Sequence, residues 1–428
     1  MPLPYPLNIL YTALIAAIAR LDKSLSPSDT LARLRQTTWT FSHLIYVFHA
    51  ILACFWLYIM SFPSFPLKLL IPILWITALI IPLTSQFFVP ATPVLAWVMM
   101  FYTNQFIPYE YRPEISVSLL PTLETVLYGA NVSDILTRYT HPVLDIIAWL
   151  PYGVLHFTLP FVVAIFLWLF RTKPVLPLWA KIFGYMNFIG VATQILMPCA
   201  APWYELIYGL TPANYSIKGN AGGLGRIDAL FGGHGYQNTF GTSPVVFGAF
   251  PSLHSGCATM EALFLSHFFP QTTKYVWAYT GILYWATMYL THHYLIDVVG
   301  GACLSTFCFY LWLPDELKGS AATALPPNLV GAPGFGGTRK SKYDIYDIEE
   351  PRMGGRGGYE MEGSESQEAS DEEVDITFRS PLPQVPGSAA FQQGKGPKGR
   401  GVGSVKKSHK HTASIASLIR AEERVEDG

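Results

Sequence analysis

The stretch YLTHHYLIDVVGGACLSTFCFYLWL, residues 289–313, decides how the chain is to be read. From Leu295 onward it is apolar for close to the ~20 residues that a helix needs to cross a bilayer. Two histidines stand at its mouth, and a single acid, Asp297, lies just inside. His293 and Asp297 are four apart, so on a helix they share a face. An acid within a membrane helix is costly and by default marks function. Asp297 is placed to accept from one ring nitrogen of His293 and fix its tautomer, leaving the other free to attack or to take a proton.

About forty residues earlier, GAFPSLHSG (248–256) opens a second apolar run. Pro251 suits a helix start and Ser252 is a good cap. His254 then falls in the first turn, where free amides and the helix dipole favour an anion, and Ser252 and Ser255 add hydroxyl donors. Two histidines, one with a carboxylate, beside an anion site describe phosphoryl transfer through a histidine nucleophile. The competing expectations are a satisfied core histidine at either position, or a metal held by His292, His293 and Asp297. The pairing of the two stretches on one membrane face favours catalysis without a metal. His156 and His267 stand in apolar runs and read as structural.

The rest of the chain supports a polytopic membrane protein. It is 51% hydrophobic and 13% charged, against about 25% charged for a soluble domain. A net charge of −1 gives no sign of nucleic-acid binding. Five cysteines (54, 199, 257, 303, 308) show no CxxC spacing and read as small core residues. Candidate spans are 43–62, 68–86, 89–104, 153–170, 178–198, 252–269, 275–291 and 295–313. The run 68–104 reads either as one long tilted helix or as a hairpin broken at Pro82, Pro90 and Pro93. The hairpin puts the basic N-terminus, Arg171–Lys173, Lys274 and the lysine-rich tail all on the cytosolic side, as the positive-inside rule asks. Loops 105–152 and 199–251, with sequons at Asn131 and Asn214, then face the lumen. Leu7–Ala19 is a weak match to a signal peptide and reads better as an interfacial or re-entrant helix.

The expected organisation is an N-terminal cytosolic or interfacial segment (1–41), a transmembrane catalytic domain (42–314) and a disordered cytosolic tail (315–428). The tail carries an acidic block (362–375) containing Ser364, Ser366 and Ser370, then a basic block (395–410). The fold class is an all-α membrane helix bundle.

Pro251-Ser252-Leu253-His254 and His293–Asp297 resemble the second and third motifs, PSGH and SRxxxxxHxxxD, of the type-2 phosphatidic acid phosphatase superfamily. The resemblance implies a six-helix core with about two extra N-terminal spans. The cations of that pattern are missing. Gln194 and Ala201 occupy the lysine and arginine positions of the first motif, Thr287 that of the third motif's arginine, and Leu253 replaces a glycine. A phosphate monoester needs cations for its two charges, a phosphodiester fewer. The loss argues against a plain lipid phosphatase and for transfer of a phosphodiester headgroup. Lys218 and Arg226 are candidates to restore part of the charge.

A closer resemblance runs through PTLETVLYGANVSDIL (121–136), DIIAWLPYG (145–153), PCAAPWYE (198–205), GGLGRIDALFG (222–232), SPVVFGAFPSLHSG (243–256) and THHYLIDVVGG (291–301). These look like the fungal inositol phosphorylceramide synthases, targets of aureobasidin A, over roughly residues 40–315. That implies transfer of phosphoinositol from phosphatidylinositol to the ceramide 1-hydroxyl, releasing diacylglycerol, in the Golgi membrane with the site facing the lumen. It implies His254, His293 and Asp297 as the triad, no cofactor, and a small regulatory membrane subunit such as the yeast members have. Glu124, Asp134 and Asp145 either bond inositol hydroxyls or cap helices and pair with Arg138. Tyr152, Trp203 and Tyr204 suit an interfacial belt or a sugar platform. The rivals are a lipid phosphate phosphatase, another headgroup transferase, and a non-enzymatic membrane protein.

Overall fold

The computed structural model describes residues 4–332, 334 and 335 of the 428-residue chain. The acidic block with its three serines and the basic block lie outside them. Among the described residues the fold is helical, and the only extended pairing is two isolated bridges, Ser116 to Cys199 and Cys199 to Gly248.

Seven helices form the frame. They are α1 (Leu44–Ile59), α2 (Thr92–Thr103), α3 (Pro142–Phe170), α4 (Val175–Leu196), α5 (Leu253–Phe268), α6 (Thr273–Tyr289) and α7 (Leu295–Trp312). Helices α2–α7 make the six-helix core, and α1 packs on α2 from outside. Among the described residues four helices are long and apolar enough to cross a bilayer: the stretch extending from α1 back to Phe41, α3, α4 and α7. At 16 and 17 residues, α5 and α6 are slightly shorter.

The ambiguous run 68–104 is neither a long tilted helix nor a simple hairpin. Leu70–Ile80 and Pro82–Phe88 meet at a bend of 107°, because Pro82 has no amide to donate and Ile81 is extended. The elbow docks on the N-terminal segment, where the Leu83 amide donates to the Ser24 carbonyl and Gln86 bonds Asp22. Helix α2 follows with only 12 residues, about 18 Å of rise. The span expected at 153–170 starts earlier, at Pro142, and widens to a π-helix over Leu150–Leu155. Pro151 there cannot donate within the ladder.

Helix α5 is the hub, in contact with α3, α4, α6 and α7. Small residues allow this. A Cβ on Gly301 of α7 would collide with the Ser252 carbonyl and Ser255 hydroxyl, and the Ser305 hydroxyl donates to the Gly256 carbonyl at 2.5 Å. Backbones that approach so closely gain the van der Waals packing that drives helix association in lipid. Leu253, the family's glycine position, packs into the notch at Gly190 of α4. At the other end of the bundle, Trp179, Phe183, Met186, Phe264, Phe268 and Phe309 fill the core, and Arg171 donates to the Phe268 carbonyl at the C-terminus of α5.

The described part of the expected tail, from residue 315, packs on the bundle. The segment to Phe335 is held on the bundle, with the His267 ring bonded to the Leu317 carbonyl at 2.8 Å. Asn328 donates to the Ala16 carbonyl, and Leu329 and Phe335 join Ala13, Ala16, Ala17 and Leu169 in a small core. His267 is thus structural, and Tyr5–Ala19 is an apolar helix lying on α3.

Candidate active site

The N-terminal ends of α5 and α7 are tied together, the Ser252 amide donating to the Asp297 carbonyl at 3.0 Å. That tie brings the two expected histidines face to face. Nδ1 of His254 stands 3.3 Å from Nε2 of His293. The turn carrying His292 and His293 is built from main chain. The Thr287 carbonyl accepts from both of their amides, and Thr291 takes the left-handed conformation, with φ 65°, a costly choice for a β-branched residue. Thr287, standing where the family pattern has arginine, supports the loop through its backbone.

One expectation changes. Nδ1 of His293 bonds to the Ala249 carbonyl at 3.0 Å, and Asp297 Oδ2 lies at 3.7 Å, beyond a normal hydrogen bond. The carbonyl, which can only accept, fixes the tautomer: Nδ1 carries the proton and Nε2 the lone pair aimed at His254. Asp297 Oδ2 accepts from the Tyr294 amide at 2.8 Å, and its buried Oδ1 has no partner among the described residues. The carboxylate therefore faces the imidazole without a direct hydrogen bond to it. Burial holds the His293 imidazole down to about 4, which keeps it neutral.

Both serines take part in internal bonds. The Ser252 hydroxyl accepts from the Ser255 amide, and the Ser255 hydroxyl donates to the carbonyls of Val298 and Ser252 at 2.8 and 3.0 Å. Both are fully buried. They cap α5 and join it to α7, and the Ser255 hydroxyl has no second proton for a ligand.

Two residues beside His254 escaped the sequence reading. The Tyr152 ring stacks on it, centroids 4.2 Å apart and planes 16° off parallel, and His156 lies 4.5 Å away. The π-helix of α3 turns Tyr152 inward, so it is buried here and not part of an interfacial belt. In the sequence His156 has no neighbour and reads as structural; its partner lies almost a hundred residues away. Trp203 and Tyr204 are also buried, the Trp203 amide donating to the Thr291 carbonyl. His292 turns to the Ala221 carbonyl at 3.0 Å, so it does not converge with His293 and Asp297. Among the described residues no three His, Cys, Asp or Glu side chains converge at ligand spacing.

The acids serve as braces. Glu124 accepts from the amides of Val132, Ser133 and Leu295, capping α7. Glu205, unremarked in the sequence, accepts from the Tyr294 hydroxyl at 2.7 Å and from Asn131. Asp134 pairs with Arg138 on the surface. Asp145 holds Arg226 at 2.7 Å and accepts from the Tyr289 hydroxyl. Lys218 lies apart from the histidines, in the wall of a separate cavity.

A family model described as the PAP2 superfamily matches residues 120–311. The inositol phosphorylceramide synthase catalytic subunit aur1 of Schizosaccharomyces pombe is 50% identical over 68% of this chain and 69% of its own length. The chain belongs to the inositol phosphorylceramide synthase family. The family's Saccharomyces cerevisiae catalytic subunit AUR1 is 47% identical over 68% of this chain and 73% of its own. The Candida albicans inositol phosphorylceramide synthase is 45% identical over 71% and 65%. No solved structure matches the chain.

Proposed function

We propose that this protein is a phosphotransferase that moves phosphoinositol from phosphatidylinositol to the 1-hydroxyl of ceramide, giving inositol phosphorylceramide and diacylglycerol. The observation that carries the reading is the histidine pair: His293 presents a lone pair on Nε2, directed at a second imidazole 3.3 Å away. In-line displacement sets nucleophile and leaving oxygen on opposite sides of phosphorus. The headgroup therefore enters between the two rings and parts them. Nε2 of His293 attacks, the P–N bond forms, and the bond to the diacylglycerol oxygen breaks as His254, entering the step as the imidazolium, gives that oxygen a proton and is left neutral. His254 then takes the proton of the ceramide 1-hydroxyl, whose oxygen attacks phosphorus and displaces His293. Asp297 stabilises the charged imidazole of the intermediate through space.

The phosphodiester's single negative charge is met by the start of α5, where the Leu253 and His254 amides have no acceptor among the described residues. Of the two candidate cations, Arg226 follows Ala221, whose carbonyl bonds His292, and its guanidinium is paired with Asp145. We place the site in the Golgi lumen. In support, the sequon asparagine Asn214 is exposed at the histidine end of the bundle, whereas the Asn131 amide is already donated to Glu205. Two relatives are named as catalytic subunits, which supports a further subunit as partner.

The test gives purified protein fluorescent ceramide with and without phosphatidylinositol. A more polar ceramide product is expected only with phosphatidylinositol, and none from His293→Ala. Phosphate release from a lipid monoester without need of ceramide would overturn the transferase reading. With phosphorus-labelled phosphatidylinositol and no ceramide, acid-labile label should stay on the wild type. Full activity without such label would mean that ceramide attacks directly.

A further inference from the structure

A cavity of about 350 Å³ opens at the histidine end of the bundle, between the C-terminus of α4 and the loops around residues 104–113, 215–218 and 241–247. Its size falls within the usual range of small-ligand sites, roughly 300–1,000 Å³. It is distinct from the histidine cluster, none of whose members lines it. The two share one stretch of chain: Phe247 lines the cavity, and two residues on the Ala249 carbonyl holds His293.

The charge of this cavity is one-sided. Arg112 and Lys218 line it, and no aspartate or glutamate does. Among the described residues neither cation has a carboxylate partner. Arg112 is fixed in place. Its guanidinium sits 4.8 Å from the ring centroid of Tyr109 and 4.9 Å from that of Tyr215, while Nε and Nη2 donate to the carbonyls of Ile107 and Gln105 at 2.8 and 2.7 Å. Nη1 is left without an acceptor among the described residues. A guanidinium immobilised in advance, with one edge free, binds an anion at little further entropic cost.

The rim is apolar. Leu196, at the end of α4, lines the cavity and is 74% exposed, where a membrane helix meets the interface. An anion held by Arg112 and Lys218 would have hydrocarbon beside it.

We propose that this cavity is a second lipid site, holding the phosphodiester headgroup of an anionic glycerophospholipid with its acyl chains leaving past Leu196 into the bilayer. It lies outside the catalytic histidines. A lipid bound here touches the segment that sets the His293 tautomer, so its presence would be felt at the active site through Phe247–Ala249.

Photoactivatable phosphatidylglycerol in phosphatidylcholine nanodiscs tests this. Phosphatidylglycerol is not the donor of the proposed reaction, so the label reports on the cavity whatever the fate of that reaction. Label is expected in the peptides around 105–113 and 195–198, displaced by unlabelled phosphatidylglycerol but not by extra phosphatidylcholine. Lys218→Gln, an exposed change that leaves the fold intact, should lower labelling about tenfold, as loss of a charge-assisted contact does; adding Arg112→Gln should lower it further. Label that ignores both substitutions, or that falls only on α3 and α5, overturns the proposal. Displacement by millimolar inorganic phosphate as effective as that by lipid would mean a free-anion site and would overturn it too.

Discussion

His293 takes its tautomer from the carbonyl of Ala249, 3.0 Å from Nδ1, while Asp297 stands off at 3.7 Å; in the proposed mechanism Asp297 supplies only charge. Orientation and charge therefore come from different groups, and substitution can separate them. Asp297→Asn keeps the cap on the Tyr294 amide and leaves Ala249 in place. It should lower kcat by roughly 10²–10⁴, in the range of acid–base assistance, with the melting temperature close to wild type. His293→Ala should abolish turnover. Steady-state assays with fluorescent ceramide measure both.

The pH profile follows from the same burial. The proposed attack needs neutral His293, and its pKa is pushed down to about 4. Protonation therefore begins to inhibit only well below the ordinary imidazole value near 6.5. The acid limb of kcat/KM, which reports the free enzyme, should fall toward pH 4. A limb at 6.5 or above would mean that His293 is not the titrating base.

Tyr152 is a positioning residue for His254, acting through the stack at 4.2 Å. Tyr152→Phe keeps the ring and should retain near-full activity. Tyr152→Leu removes a contact worth about 0.5–1.5 kcal/mol and should cost about two- to tenfold in kcat, with KM little changed. Equal loss in both variants would shift the role from ring to hydroxyl.

Gly301→Ala tests the seam between α5 and α7. Its Cβ would meet the Ser252 carbonyl and Ser255 hydroxyl, so the helices must part. Overpacking of this kind costs about 1–3 kcal/mol. Because His254 and Asp297 ride on those two helices, activity should fall along with the melting temperature. Gly281→Ala, at a position with open space, is the control and should leave both unchanged.

Much of this was legible in the sequence. Apolar runs marked α1 and α4–α7 to within a few residues, and the spacing of His254, His293 and Asp297 placed them at one mouth. The misreadings have separate physical causes. Ala249 orients His293 through a backbone carbonyl, and no side-chain pattern announces a main-chain acceptor. Tyr152 and His156 reach His254 because Pro151 widens a helix into a π turn, a register change that hydropathy does not record. Ser255 reads as a ligand donor because capping and anion binding draw on the same residue types, whereas its proton goes to main-chain carbonyls. The bend at Pro82 was visible as a proline, but its angle depends on the N-terminal segment that catches the elbow.

The main-chain carbonyls around the histidines carry one more consequence. Ala249 and Ala221 hold the imidazoles of His293 and His292, and Thr287 holds their main-chain amides, by carbonyls that every amino acid possesses. Point substitutions there change the side chain and leave the acceptor in place. The reactive tautomer is thus insulated from mutational drift at the very residues that set it, and can be lost only by rerouting the chain. An inhibitor that worked by displacing this loop would leave a target few escape routes through single residue changes at those three positions.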